Sequence, residues 1–185
     1  MNMKVKDMIL VSLFAALTAI GAFIKFPVGP APMSLQFLFT AFSAILLGSK
    51  LGALSQLIYL IIGLSGIPIF TGGGGIGYIL NPTFGYLIGF VIGAFVIGKS
   101  IENAKSNSFM RLFTSCLIGL GVVYLIGVPY LYLILKNVVQ KDITFIETLK
   151  SGLIVFLPGD FIKCFITSFI GFKIIPILNK LKANK

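Results

Sequence analysis

Apolar residues run along this chain in long blocks, separated by short stretches rich in glycine, proline or charge. Each block approaches the roughly 20 residues that an α-helix needs to cross a bilayer. The pattern predicts an all-α integral membrane protein, a single domain over residues 1–185 with six transmembrane helices in one bundle. The predicted helices lie at about 8–24, 33–48, 51–70, 82–98, 109–135 and 152–175.

Composition supports the membrane assignment. The chain is 57% hydrophobic and 11% charged, whereas a soluble domain carries about 25% charged residues. The net charge of +10 raises the question of nucleic acid. However, the basic residues sit at the ends of apolar runs, as they do in membrane proteins, and not on a polar surface with interleaved aromatic residues. We therefore expect a lipid bilayer as the surroundings and no nucleic-acid partner.

The residue types that are missing narrow the chemistry. The chain has no histidine and two cysteines without CxxC spacing. Histidine-based acid–base catalysis and histidine-ligated metal sites are excluded. A nucleophile paired with a base, as an intramembrane enzyme needs, is not apparent. The glycine-rich stretch at 71–81 is not followed by the Lys-Ser or Lys-Thr pair of a phosphate-binding loop. We expect no catalytic residues, no metal site and no cofactor.

The distribution of lysine and arginine predicts the orientation. With the N-terminus inside, ten basic residues fall on the inner side and four on the outer side, which favours cytoplasmic termini. The inner set is Lys4, Lys6, Lys50, Lys99, Lys105, Arg111, Lys173, Lys180, Lys182 and Lys185, and the outer set is Lys25, Lys136, Lys141 and Lys150. The basic start and first apolar run also fit a signal peptide, but further membrane segments follow at once, so we interpret the run as a first transmembrane helix.

Two charged residues interrupt the last apolar segment. Asp160 and Lys163 lie three residues apart, on one face of the predicted helix. A charge at the bilayer centre costs about 2.5–3.5 kcal/mol on insertion scales, so such residues rarely face lipid. They either neutralise each other or form a polar binding site that faces the protein interior, and we favour the site. Pro158 and Gly159 can loosen the helix just before it.

A glycine-rich stretch at residues 71–81 faces the outside in this topology. Its glycines, Gly73 among them, permit a close approach of the backbone to a ligand. The stretch is either a flexible hairpin or a lid over an outward-facing pocket. Asn81 precedes a proline, which fits a helix N-cap, but its amide also lies at the pocket mouth. Gln56 fits either a helix–helix hydrogen bond or a ligand contact, and Tyr86 either an interface aromatic or a ligand contact.

The first segment carries a stripe of small residues. Ala15 and Ala19 form a small-xxx-small pair that lets another helix approach closely. That helix belongs either to this protein or to a separate membrane subunit.

Several segments together resemble a known family, the BioY family of biotin-specific S components of energy-coupling-factor (ECF) vitamin transporters. The segments are LFAALTAIGAFI at 13–24, LGALSQLIYL at 51–60, GIPIFTGGGGIGY at 66–78, NPTFGYLIGF at 81–90 and LPGDFIK at 157–163. The resemblance covers nearly the whole chain, while residues 100–150 contribute little to it.

The resemblance implies a capsule of six helices with a biotin pocket near the outer face of a prokaryotic cell membrane. It implies ligand contacts from Asn81, Asp160 and Lys163, and more weakly from Gln56, Tyr86 and Gly73. It also implies that Ala15 and Ala19 dock to a transmembrane coupling subunit, which works with two cytoplasmic ATPases. Ala16 stands next to Ala15, which leaves the docking register open. For the apolar walls of the pocket we expect Phe70, Tyr78 and Phe84.

The predicted function is therefore biotin capture at the outer face and ATP-driven delivery to the cytoplasm. The alternatives are an S component for another vitamin and a solitary facilitator that works without ATPases. Asp160 can accept hydrogen bonds from the ureido N–H groups of biotin, and Lys163 can donate to its carbonyl. Polyphosphate ligands are disfavoured, because the chain has no arginine cluster.

Overall fold

The computed structural model describes residues 4–27, 31–102 and 108–183, with side chains described as far as residue 178. Helices dominate these residues. In chain order the elements are α1 (Val5–Phe23), β1 (Lys25–Phe26), β2 (Met33–Ser34), α2 (Gln36–Leu64), a 3-10 turn (Ile76–Leu80), α3 (Phe84–Glu102), α4 (Phe109–Asn137), α5 (Phe145–Leu149), a π-helical turn (Lys150–Ile154) and α6 (Leu157–Ala183). Lys105 and Lys185, which entered the orientation argument, lie outside the described residues.

Five helical segments are long and apolar enough to cross a membrane. They are Val5–Phe23, Gln36–Leu64, Phe84–Glu102, Phe109–Asn137 and Phe145–Leu178. Large apolar side chains such as Leu125 and Ile162 are exposed on the bundle surface, while Thr18, Gln56 and Asp160 are buried inside. This reverses the usual distribution in soluble proteins and suits a bundle surrounded by lipid. The prediction of an all-helical membrane protein is confirmed, and the number of six crossings stays a prediction.

The second and third predicted segments belong to one helix with a sharp break. Gly48 has φ 83° and ψ −177°, values outside the helical region, and a positive φ costs glycine least. The two halves of α2 then lie against each other, because a Cβ added at Gly52 would come 2.8 Å from the Cα of Ala44. The carboxylate of Glu102 accepts a hydrogen bond from the backbone N–H of Ser49 at 2.7 Å and closes the turn. The second half ends at Leu64, six residues before the predicted end.

Small residues also bring α3 close to α4. A Cβ at Gly89 would lie 2.9 Å from the Cα of Val123, and one at Gly93 would lie 3.1 Å from the carbonyl oxygen of Gly119. Within a membrane, helices associate mainly through such close packing, because lipid tails are as apolar as leucine. The backbones of α3 and α4 therefore set a fixed frame for the side chains that they carry.

One end of the bundle gathers most of the irregular structure, and we call it the hairpin end. β1 and β2 pair antiparallel there, and the Lys25 ammonium donates a hydrogen bond to the carbonyl oxygen of Thr71. The 3-10 turn follows the glycine-rich stretch. α5 begins with a capping box, in which Thr144 and Glu147 satisfy each other's backbone N–H groups. α2, α3 and α6 all begin at this end, so their first turns can converge on one site.

Candidate ligand-binding site

A cavity of about 60 Å³ lies at the hairpin end, inside the bundle. The first turns of α2, α3 and α6 and the middle of α4 form its walls. Its cover comes from residues 31–34, Thr71 and Thr83. The apolar part of the wall includes Phe37, Phe90 and Phe156. The aromatic residues that the sequence suggested for this role lie elsewhere: Phe70, Tyr78 and Phe84 are buried in the core but are not part of the lining.

Asp160 and Lys163 face this cavity, as the sequence predicted for an interior site. The Lys163 ammonium donates to Asp160 Oδ1 at 2.6 Å, and the two residues are 7–8% exposed. Their neighbours Phe161 and Ile162 point outward, because a helix turns about 100° per residue. One face of α6 thus meets lipid while the opposite face carries an ion pair. Among the described residues, every buried side-chain nitrogen or oxygen has a hydrogen-bond partner.

Tyr124 is a site residue that the sequence reading missed. Its hydroxyl donates to the second oxygen of Asp160, and the residue lines the cavity from the middle of α4. The only signal in the sequence was a tyrosine inside an apolar segment, where its hydroxyl needs a buried partner. Asp160 is therefore held from two helices, by Lys163 on α6 and by Tyr124 on α4.

The hydrogen-bonding capacity of this cluster is not used up. A carboxylate can accept about four hydrogen bonds, and an ammonium group can donate three. Within the described part of the chain, Asp160 accepts from the Lys163 ammonium and the Tyr124 hydroxyl, and Lys163 donates one hydrogen bond, to Asp160. The cluster therefore offers acceptor and donor positions side by side, next to the cavity.

Tyr86 is the third candidate that lines the cavity. Its hydroxyl donates to the carbonyl oxygen of Gly152 at 2.7 Å, in the π-helical turn before α6. Its ring packs edge-on against Tyr124, with a centroid distance of 6.4 Å. Tyr86 therefore ties α3 to the segment that precedes Asp160, and its hydroxyl is already engaged with that backbone.

Asn81 caps the start of α3. Its side-chain oxygen accepts from the backbone N–H of Thr83 at 3.0 Å and from the Thr83 hydroxyl at 2.8 Å. Thr83 lines the cavity, whereas Asn81, two residues earlier in the chain, is not part of the lining. Gly73 has φ 123° and forms a tight bridge with Phe70, away from the lining. For both residues, ligand contact stays a prediction.

Gln56 lies in a separate polar cluster between α1 and the two halves of α2. Its amide oxygen accepts from Thr40 at 3.0 Å, and its amide nitrogen lies 3.1 Å from the Ser55 hydroxyl and 3.2 Å from that of Thr18. This is the helix–helix hydrogen bonding that the sequence allowed for. Gln56 is not part of the cavity lining, and the alternative interpretation of this residue, as a ligand contact, stays a prediction.

A second hollow lies on the bundle surface, between α1 and the second half of α2. This groove has a volume of about 320 Å³ and includes Ala15, Ala16 and Ala19 in its lining. Ala15 is 5% exposed and belongs to the core, whereas Ala16 is open to the surroundings. Small side chains therefore leave a recess here, wide enough for apolar side chains of another helix. Docking of a partner at this recess stays a prediction.

The fold and the site together define a class: a helical membrane protein with a buried ion pair beside an internal cavity, the arrangement of a small-molecule binder. The sequence matches the family model described as "BioY family" over residues 1–180, and the chain belongs to that family. The resemblance seen in the sequence is thereby confirmed.

Similar proteins cover almost the whole chain. A protein of Lysinibacillus sphaericus, named probable biotin transporter BioY, is 38% identical over 97% of this chain and 91% of its own length. The biotin transporter BioY of Thermotoga maritima is 36% identical over 97% of this chain and 99% of its own length. A crystal structure of the S-component for biotin from an ECF-type ABC transporter matches with a TM-score of 0.80 and 31% identity, covering 94% of this chain and 92% of that one.

Proposed function

We propose that this protein is a biotin-binding S component, which captures biotin on the outside of the cell and delivers it to the cytoplasm. The observation that carries the proposal is the Asp160–Lys163 pair beside an internal cavity, in a chain of the BioY family. The biotin transporters among the similar proteins support the choice of ligand. We assign the chain no catalytic role and no cofactor, with biotin as the transported ligand.

The chemistry of biotin suits the open positions of the cluster. Its ureido ring carries two N–H donors and one carbonyl acceptor, so Asp160 can accept from the ring while Lys163 donates to it. Tyr124 keeps the carboxylate in place by occupying one of its oxygens. Phe37, Phe90 and Phe156 offer apolar contact to the sulfur ring and the chain. We propose Asp160, Lys163 and Tyr86 as contact residues, with Asn81 acting on the cover through Thr83.

Entry of biotin requires the cover to move. Ligand pockets usually measure about 300–1,000 Å³, and this cavity measures about 60 Å³. The cover consists of the β-hairpin and the glycine-rich stretch, joined by the hydrogen bond from Lys25 to Thr71. Loss of this hydrogen bond would favour separation of the two segments. The glycine-rich stretch thus acts as a lid in this proposal.

Release into the cytoplasm requires an external source of energy, which we assign to a transmembrane coupling subunit and two cytoplasmic ATPases. The groove beside Ala15 and Ala19 is the surface that we propose for the coupling subunit. We also count the two halves of α2 as separate crossings, because the chain reverses at Gly48. That gives six crossings and places both termini on the cytoplasmic side of a prokaryotic cell membrane, in agreement with the basic residues.

A titration of the purified protein in detergent tests the proposed ligand. We expect saturable binding of biotin at one site per chain, measured by isothermal titration calorimetry, and no binding of riboflavin or thiamine under the same conditions. Tight binding of either of these vitamins without binding of biotin would establish the alternative, an S component for another vitamin.

Uptake of labelled biotin separates the coupled transporter from a solitary facilitator. The protein is produced in cells with and without genes for coupling subunits, and we expect accumulation against a gradient only where the subunits are present. Equal accumulation in both strains would contradict the proposed dependence on ATPases.

A further inference from the structure

Gln36 presents a second polar group to the cavity, on the wall formed by α2. The residue is buried and belongs to the lining. Its amide oxygen accepts from the Ser34 hydroxyl at 2.8 Å, and its amide nitrogen donates to the Tyr59 hydroxyl at 2.8 Å. A glutamine amide has two N–H donors and two acceptor positions, so one donor and one acceptor position remain for a ligand.

Tyr59 holds this amide from the other half of α2. Its hydroxyl accepts from Gln36 and donates to the carbonyl oxygen of Ile69 at 2.9 Å. Its ring packs edge-on against Phe70, with a centroid distance of 5.4 Å, and the residue is 1% exposed. The hydroxyl thus lies at a fixed point between the start of α2 and the segment that leads to Thr71.

The same tyrosine also forms part of the α1–α2 groove. Tyr59 and Ile69 line this groove together with Ala15, Ala16 and Ala19. One side chain therefore lies in the wall of the groove and, through its hydroxyl, reaches a residue of the cavity wall. The nearby Gln56 cluster also lies between α1 and α2, but its described hydrogen bonds stay within that cluster and the helix backbone.

We propose that Tyr59 is a positioning residue, which orients Gln36 toward the ligand and makes that orientation depend on whether the α1–α2 groove is occupied. The inference rests on the proposed function and adds a route by which docking weakens biotin binding. N–H···O hydrogen bonds have donor–acceptor distances of about 2.7–3.2 Å, and they weaken steeply when the angle at the hydrogen falls below about 120°. A displacement of the ring by a group in the groove therefore releases the Gln36 amide. By linkage, biotin then disfavours occupation of the groove by the same factor.

The test places a removable group in the groove of the full chain. Ala16→Cys provides an accessible thiol there, while Cys116 and Cys164 are fully buried. Benzyl methanethiosulfonate attaches a benzylthio group as a mixed disulfide, confirmed by mass spectrometry, and dithiothreitol removes it. We expect attachment to weaken biotin binding about three- to tenfold, as expected for loss of one hydrogen bond, and reduction to restore it.

Two further variants separate the proposed route from a general disturbance. In Ala16→Cys combined with Tyr59→Phe, attachment should leave the biotin Kd unchanged, because the connection to Gln36 is already lost. In Ile118→Cys, on the exposed face of α4, attachment should also leave it unchanged.

Three outcomes overturn the inference. An unchanged Kd after attachment in Ala16→Cys, with the unmodified protein still binding biotin, overturns it and leaves the proposed function intact. An equal effect of attachment with Phe at position 59 removes Tyr59 from the route. An unmodified protein that binds no biotin refutes the proposed function, and the inference with it.

Discussion

The buried polar clusters around Gln56 and around Asp160 differ in what their hydrogen bonds leave open. At Gln56, the amide is surrounded by the hydroxyls of Thr18, Thr40, Ser43 and Ser55. At Asp160, one ammonium and one hydroxyl leave acceptor and donor positions unused. The first cluster is neutral and saturated by its own members, while the second is charged and lies beside a cavity.

This difference distinguishes a binding site from a packing cluster in a membrane protein. Burial of polar groups marks both clusters equally, so burial alone does not identify a binding site. Unused hydrogen-bonding capacity next to a cavity does identify a binding site. Unmade hydrogen bonds of a buried polar group cost free energy, and a ligand can supply the missing partners. Variants of the two clusters should therefore separate affinity from stability.

The largest effect on affinity is expected from Asp160→Asn. This change keeps the shape but removes the charge, which leaves the Lys163 ammonium without its ion-pair partner in a buried place. The change also weakens the two hydrogen bonds that we expect Asp160 to accept from the ureido N–H groups. Hydrogen bonds to a charged group contribute about 1.5–3 kcal/mol each, so biotin binding should weaken about 100-fold or more. Isothermal titration calorimetry gives the affinity, and size-exclusion chromatography checks that the variant is folded.

The matched control for this variant is Asp142→Asn, the same change at an exposed position before α5. It should leave the affinity unchanged within about twofold, because a surface charge contributes little. An unaltered biotin affinity in Asp160→Asn would remove the carboxylate from the site, and both clusters would then be structural.

A smaller effect is expected from Tyr124→Phe. The ring and its packing against Tyr86 stay, and only the hydroxyl that donates to Asp160 is lost. A hydrogen bond to a charged group contributes about 1.5–3 kcal/mol. Without it the carboxylate is held by Lys163 alone and must be ordered on binding, so binding should weaken about tenfold, though less than in Asp160→Asn. Tyr132→Phe, a tyrosine outside the cavity lining, is the control. Equal affinities in the two variants would show that Lys163 alone positions the carboxylate.

The positions of the helices and the Asp160–Lys163 pair could be predicted from the sequence, for physical reasons. Crossing a bilayer demands long apolar blocks, so α3 and α4 were predicted to within about four residues of their ends. The ion pair was conspicuous because a charged residue inside a transmembrane segment costs free energy. The reversal at Gly48 could be predicted as well, because the apolar segments 33–48 and 51–70 are separated by almost nothing, which favours a tight helical hairpin. The backbone reverses there through the positive φ of Gly48.

The side-chain contacts between different helical segments could not be predicted from the sequence. Tyr124 meets Asp160, and Gln36 meets Tyr59, only because the helices pack at a particular rotation, which local patterns do not encode. The apolar walls were misplaced for the same reason: Phe70 and Tyr78 pack on each other at 4.6 Å, while Phe37 and Phe90 reach the cavity. The small residues that fix the packing, such as Gly89 and Gly93, were visible in the sequence, but the helix that they contact was not.

The smallest effect on affinity, with a clear effect on stability, is expected from Gln56→Leu. The hydroxyls around Gln56 keep bonds to helix carbonyls, as Thr18 does with Phe14 and Thr40 with Gln36, so the loss is limited to the amide's own hydrogen bonds. We expect destabilisation of about 1–3 kcal/mol, seen as a lower midpoint in thermal unfolding in detergent, and a biotin Kd within about threefold of the unmodified protein. A loss of affinity as large as that of Asp160→Asn, without loss of stability, would instead make Gln56 a ligand contact. Saturation by neighbouring side chains would then no longer distinguish a packing cluster from a site.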